Sequence, residues 1–500
     1  MKGTFCPAET VSRFGPIARH ASPIRSTLKG FCVLLTLLLL SACATRPVNP
    51  PLAQVDKNQG YRGNLVIPKR PNNDPSTLVI LAFSGGGTRA AALSYGVLEE
   101  LKRTEYTTSD GQRRRLLDEV DVVSGVSGGS FTALSYALYG DRLFDEYEQR
   151  FLKRNVQGEL AKRNFFYPSN WFRVMSGSYG RSEVAAEYYD EILFEGATFN
   201  DLMQRTGPLA LATGTDITTG SRFTYYQEDF DLICSDLGPV KLSRAAATSS
   251  AVPIVLSPVT LNNYGGSCNY EYPPWVKELQ AIAPNKRPVG RIIERYRQME
   301  EFTDGTNRPY LHLVDGGVSD NIGARGIMDA LEELAISADF AREKGIDAMR
   351  RLVFVVVNAR SASTKDWQKD ESPPGSIKQL AQSTGVPIER YSFETVELMK
   401  DRAAVSAMRR NLQVAQAQLA GASAAEAEAL YPKIDMHVMD VNFENLADAS
   451  ERSYFMNLPT SFVLTEEQVD RLREVGGRLL RESSVYQDML LQLDAQPAGN

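Results

Sequence analysis

Short apolar runs closed by glycine, serine or asparagine recur along the chain, and stretches of helical periodicity separate them. Residues 77–83 form one such run, a length and composition that predict a strand buried on both faces. Residues 120–124, 207–213, 311–315 and 352–358 repeat the pattern, and 434–441 reads as the last strand. Residues 222–226 alternate apolar and polar, as a more exposed strand does. Between the strands, 90–103 brings Ala92, Leu93, Val97 and Leu101 to one face. Helices are also predicted at 130–139, 242–250 and 403–430. Residues 466–482 carry the stripe Val469, Leu472, Val475, Leu479 and Leu480. Strands alternating with helices predict an α/β fold with a mostly parallel central sheet flanked by helices.

The ends of the chain follow other rules. Arg13, Arg19, Arg25 and Lys29 precede an apolar run at 31–40, and Ser41, Ala42 and Cys43 follow it. A basic segment, a short apolar segment and small residues make a secretory leader. The run is shorter than the roughly 20 residues of a membrane span. Leu40-Ser41-Ala42-Cys43 has the form of a bacterial lipobox, in which the cysteine becomes the lipidated N-terminus. Residues 1–43 are therefore read as a lipoprotein signal peptide and 44–76, rich in Pro and Asn, as a tether. Residues 77–360 are read as the main folded body, with an insertion near 262–309. Residues 361–500 are a helical extension with a last strand and helix packed on the same body.

Of the five cysteines, Cys6 and Cys32 leave with the leader and Cys43 takes the lipid, so Cys234 and Cys268 remain. In an exported chain these two form a disulfide or stay as buried thiols. The whole chain has a net charge of −6, and losing the leader makes it more negative. That balance argues against a nucleic-acid partner and supplies no polybasic patch for an anionic bilayer. Membrane attachment then falls to the acyl anchor, and the residue after Cys43, Ala44, favours the outer membrane, at its periplasmic face.

Three stretches carry the candidate chemistry. The first strand runs into Gly85, Gly86, Gly87, Thr88 and Arg89, and then into a helix. Consecutive glycines at such a junction leave backbone amides uncovered, a nest for an oxyanion or phosphate. Neither phosphate-loop nor dinucleotide spacing is met. The second stretch, Gly125-Val126-Ser127-Gly128-Gly129, follows a β-branched run and opens a helix, as a nucleophile elbow does. The third is Asp315-Gly316-Gly317, at the end of a strand.

A serine nucleophile needs a base. His20 leaves with the leader, and His312 lies three residues before Asp315 on one strand, so alternation turns the two to opposite faces. His437 is the histidine that would complete an α/β-hydrolase order of Ser127, Asp315 and His437, although a structural role in its strand competes. Otherwise the base is a carboxylate. Partial burial of Asp315 would raise its pKa toward usefulness.

With the three motifs assembled, the chain resembles the patatin-like phospholipase family, in bacterial lipoprotein form. Gly85, Gly86, Gly87 and Arg89 match its oxyanion segment, Gly125, Ser127 and Gly129 its nucleophile motif, and Asp315, Gly316 and Gly317 its aspartate motif. Residues 212–220 and 245–259 are similar to two further family segments. The resemblance spans about 77–330 and implies a three-layer patatin-like fold and a Ser127–Asp315 dyad. It also implies no metal or cofactor and an acyl-ester lipid substrate, of phospholipase A or lysophospholipase type. Rival readings are an esterase with the Ser127–Asp315–His437 triad and a non-catalytic envelope lipoprotein that keeps the fold.

Three features stay open at this level. Arg89 supports an oxyanion or a substrate phosphate, or is a solvated ion-pair partner. Asp216 orients a loop near the site or makes a local turn bond. The cluster Phe165, Phe166, Tyr167, Trp171 and Phe172, flanked by Lys153, Arg154, Lys162, Arg163 and Arg173, dips into a lipid interface or packs as a loop on the core.

Overall fold

The computed structural model describes residues 45–493 apart from 71–73, 75, 108–110, 288–289, 338–348, 363–368 and 370. The leader and Cys43 lie outside the described residues. The main elements are β1 (Thr77–Phe83), α1 (Gly87–Arg103), β2 (Val120–Gly125), α2 (Gly128–Tyr139), α3 (Val156–Phe165), α4 (Pro168–Met175) and α5 (Arg181–Tyr189). They continue with β3 (Leu209–Asp216), β4 (Arg222–Thr224), α6 (Leu242–Ser249), β5 (Val259–Asn262) and β6 (Tyr310–Asp315). The chain ends with β7 (Arg351–Asn358), α7 (Ser376–Leu419), β8 (Asp435–Asn442) and α8 (Glu466–Glu482).

One eight-stranded sheet organises the molecule in the order β8-β7-β1-β2-β3-β6-β5, with β4 paired to β3. The strands from β8 to β3 are parallel, and their near-continuous Val, Ile and Leu composition suits a sheet covered by helices on both faces. Beyond β3 the direction reverses: β4 and β6 run antiparallel to it, and β5 antiparallel to β6. The sheet is thus mostly parallel, with an antiparallel wing that carries Asp315, while His437 lies on the parallel edge strand β8.

Helix α1 is buried on nearly all sides because α8 closes over it. The helices touch through small residues: a Cβ at Gly96 would collide with the carbonyl of Arg473, and one at Gly476 with that of Leu93. The five apolar residues predicted to form the core-facing stripe of α8 are all buried. Residues from 361 onward thus complete the body, since β8 extends the sheet at β7 and α8 covers α1.

The segment expected to be a spacer is not free. Residues 45–70 form a strap across the body, with Tyr61 fully buried and its hydroxyl accepting from the Ala210 amide at 2.7 Å. Arg62 pairs with Asp231, and Arg70 with Asp121, both at 2.7 Å and both nearly buried. Few apolar residues are needed, because one aromatic and two arginines each find a buried partner. The strap also crosses the disulfide that joins Cys234 and Cys268, whose Cα atoms are 5.4 Å apart. The Leu52 amide donates to the Cys234 carbonyl and the Val55 amide to the Cys268 carbonyl. The 262–309 insertion is packed as well, through Trp275, Val276, Leu279, Ile292, Met299 and Phe302 on two helices. Among the described residues no helix is long and apolar enough to cross a membrane.

Candidate functional site

The turn from β2 into α2 holds Ser127 at φ 49° and ψ −119°, a left-handed conformation that a residue with a Cβ adopts only under strain. The close packing behind it demands Gly125, where a Cβ would lie 2.6 Å from the Gly129 carbonyl oxygen. Ser127 is held from outside its own turn, because its amide donates to the Ser249 hydroxyl at 2.9 Å. Its side chain is buried to within 6% of its surface.

Asp315 reaches the same place from the opposite direction. Gly125 pairs with Ala212 across β2 and β3, and Gly214, two residues on, pairs with Asp315 across β3 and β6. Two residues beyond Gly125 is Ser127, so residues 127 and 315 lie at one level of the sheet. The Asp315 carboxylate accepts from the Gly317 amide at 2.8 Å, and the Ser127 hydroxyl faces it as a hydrogen-bonding neighbour that lowers its pKa. Its own amide donates to the Ala251 carbonyl, and the Gly316 amide to that of Ser249. Burial raises the Asp315 pKa to about 6, against the opposing pull of the two hydrogen bonds. A carboxylate at that value is a usable proton acceptor at neutral pH.

The glycine turn lies alongside. A Cβ at Gly85 would stand 3.4 Å from that of Ser127. The four residues predicted for an oxyanion site divide into two groups. The Gly85 amide is committed to the Asn321 carbonyl at 2.9 Å, and the Thr88 amide to Ser461. No acceptor among the described residues meets the amides of Gly86, Gly87 and Gly128. Gly87 has φ 60°, and a Cβ there would collide with the Ser461 carbonyl. The guanidinium of Arg89 lies behind this nest, where a Cβ on Gly86 would meet it at 3.4 Å. It is buried, and it donates to the Ala359 carbonyl at 3.1 Å, the Thr460 hydroxyl at 3.0 Å and the Leu458 carbonyl. Arg89 is thus neither an oxyanion donor nor a solvated pair partner but a bracket between α1 and the loop before α8.

The two remaining histidines are elsewhere. His437 pairs in register with Val353, Val353 with Val79, and Val79 with Val120. That level is seven residues before Ser127, and β8 is three strands from β2, about 14 Å across the sheet. No triad with His437 forms. His312 points away from the site, its Nδ1 3.0 Å from the Thr260 hydroxyl. Asp216 binds its own turn through Thr218 and Thr219, and also Arg308. Among the described residues no cluster of three or more His, Cys, Asp or Glu side chains is placed to hold a metal.

Ser249, Asn321 and Ser461 also shape the site, each through long-range contacts that leave no local signal for that role, and the Gly128 amide joins them from within the serine motif. Gly317, Val318 and Asn321 also border a cavity of about 400 Å³ walled by Arg222, Arg325 and Tyr391.

The sequence from the middle of β1 to just beyond the aspartate turn, residues 81–328, matches the model of the patatin-like phospholipase family. This stretch belongs to that family. The patatin-like segment contains the glycine turn, Ser127 and Asp315, and leaves β7, β8 and α8 outside the match. Comparison with curated proteins gives no match. Among solved structures, the chain is similar to human GIVD cytosolic phospholipase A2, at 13% identity and a TM-score of 0.39, covering 90% of this chain and 66% of that one. It is also similar to VipD from Legionella pneumophila, at 11% identity and a TM-score of 0.26, covering 91% and 73%. The chain therefore spans just under two thirds of the human protein.

Proposed function

We propose that the protein is a lipid acyl hydrolase, of phospholipase A or lysophospholipase type, working through a Ser127–Asp315 dyad. The observation that carries this reading is the placement of Ser127 and a buried Asp315 at one level of the sheet, with no imidazole beside them among the described residues. Asp315 takes the hydroxyl proton as the Ser127 oxygen attacks the ester carbonyl. The oxyanion is met by the free amides of Gly86, Gly87 and Gly128, with the N-terminus of α2 adding its dipole. The proton passes from Asp315 to the departing alcohol. Water, deprotonated by Asp315 in turn, then releases the acyl group from Ser127. An alkoxide leaving group demands less of the base than an amine does, so a carboxylate suffices.

The test is labelling by a fluorophosphonate together with fatty acid release from defined phospholipids. Both are expected in the wild-type chain and in His437→Ala, and both lost in Ser127→Ala. Activity lost in His437→Ala but kept in Asp315→Ala would overturn the dyad. We further propose export and lipid anchoring at Cys43, in the outer membrane at its periplasmic face. The lipobox supports this, and so does a disulfide suited to an oxidising compartment. Arg46 is held by the Thr260 carbonyl, so only two residues, at most about 10 Å of chain from Cys43 to Arg46, separate the anchor from the body. Incorporation of labelled palmitate, lost in Cys43→Ser, tests the anchor.

A further inference from the structure

Two exposed apolar stretches lie at and beside the candidate site. The first is the loop after α6. Ser249 and Ala251 hold the backbone at Ser127 and Asp315, and the next residues turn outward, with Ile254 68% and Val255 65% exposed. Val318, just beyond Gly317, is exposed too. The second is the turn from α3 into α4, where Phe166 is 79%, Trp171 58% and Met175 74% exposed, and Phe165 and Tyr167 stand out beside them. The bland expectation for this cluster, packing on the core, is not met. Helix α5 joins the two: Arg181 donates to the Ile254 carbonyl at 2.9 Å and the Ser182 amide to the Ser257 hydroxyl at 3.1 Å, while Glu187 on the same helix pairs with Arg173 of α4.

We infer that this apolar rim is a docking face for a zwitterionic phospholipid surface, which it enters through Phe165, Phe166 and Trp171. This rests on the acyl-hydrolase reading of the site it borders. Charge selects the occupant. Arg163 is paired with Glu159 and Glu191, Arg173 with Glu187, and Lys153 with Glu148 and Asp470. Of the five cations flanking the aromatics, these three are matched by the protein's own carboxylates. The exposed Lys162 lies 3.6 Å from Glu159, and Arg154 is exposed, so little net positive charge is left at the rim. What the rim offers is apolar area and amphipathic rings, which suit the interface of a neutral bilayer. The strap points the same way. Arg46 is fixed to Thr260, just after the exposed loop, so a lipid on Cys43 would hold this side of the body close to the membrane.

An acyl anchor alone would keep the protein on a vesicle, so the readout must be position-specific. The full chain carrying Ser127→Ala, which consumes no lipid, is mixed with phosphatidylcholine vesicles whose acyl chains are brominated. Quenching of a tryptophan component that is absent in Trp171→Phe is expected, nearly unchanged between about 0.05 and 0.5 M salt. A Trp171 component that is not quenched overturns the inference. In the active chain, Phe165→Ser, Phe166→Ser and Trp171→Ser together are expected to lower vesicle hydrolysis about tenfold or more. Hydrolysis of a monomeric p-nitrophenyl ester should stay unchanged. Equal rates on vesicles for variant and wild type overturn the inference, as does a dimer that the triple substitution dissolves. If the wild type cleaves neither substrate, the acyl-hydrolase reading fails, while the quenching still decides the docking.

Discussion

Ser127 and Asp315 meet at one level of the sheet although the strands that deliver them run in opposite directions. Strand β2 carries the serine outward to the rim, and β6 brings the aspartate inward from beyond it. The backbone at Asp315 is held by the Ala251 and Ser249 carbonyls, and one oxygen of its buried carboxylate accepts from the Gly317 amide. Burial, which raises the Asp315 pKa to about 6, therefore outweighs the two hydrogen bonds that lower it. A base must be ionised to act. kcat/KM for a soluble ester is expected to be half-maximal near pH 6 and to fall about tenfold per unit below it. Circular dichroism over the same range separates this from unfolding. A profile flat down to about pH 4.5 would remove Asp315 as the base.

The same carboxylate opposes folding at neutral pH. Its native pKa, about 6, lies above the ordinary aspartate value of 3.8, so the native state holds the proton more tightly than the unfolded chain. Stability from this group therefore falls as pH rises between those values, and the full penalty applies above about pH 6. The interval corresponds to about 3 kcal/mol. Asp315→Asn keeps an oxygen for the Gly317 amide and abolishes the charge. It is expected to be inactive yet more stable at pH 8 by about 1–3 kcal/mol in urea unfolding, with the gain vanishing toward pH 4. Loss of stability at pH 8 would contradict the burial argument.

What the sequence disclosed and what it concealed divide by range. The runs at 77–83 and 352–358 are apolar enough to announce buried strands, and the glycines around Ser127 announce a turn that little else fits. Local pattern carries no strand direction, so the antiparallel arrival of Asp315 beside β3 could not be read from the run at 311–315. Nor does it carry partners: Arg89 reads alike whether it faces an oxyanion or the Ala359 and Leu458 carbonyls. The strap was misread for a related reason. A Pro- and Asn-rich composition suggests no core, yet Tyr61 alone fills a buried site. The exposure of Phe166 and Trp171 likewise depends on what happens not to cover them.

Arg89 offers a direct contrast between a catalytic and a structural role. Its guanidinium satisfies two carbonyls and a hydroxyl in the loop that also receives the Thr88 amide. Removing it leaves buried acceptors unpaired, each at about 1–3 kcal/mol. Arg89→Ala is expected to destabilise the protein by about 3–5 kcal/mol, and Arg89→Lys to recover little of this, because an ammonium cannot fork to three acceptors. An oxyanion role would instead lower kcat with stability intact. Urea unfolding beside ester kinetics distinguishes the two.

The Cys234–Cys268 disulfide closes 34 residues of sequence and carries the strap on its backbone. Loop-closure entropy alone assigns it about 3–4 kcal/mol. The two amides from Leu52 and Val55 add a local effect, since they bind the carbonyls of the two cysteines themselves. Replacing both cysteines by serine is expected to lower stability by about 3–4 kcal/mol and to make residues 45–60 accessible to protease before the rest of the body unfolds. Strap residues further along, Tyr61, Arg62 and Arg70, keep their own buried partners and should remain protected. Mass spectrometry of early cleavage products reads the difference. Simultaneous cleavage throughout the chain would mean that strap and body unfold as one unit.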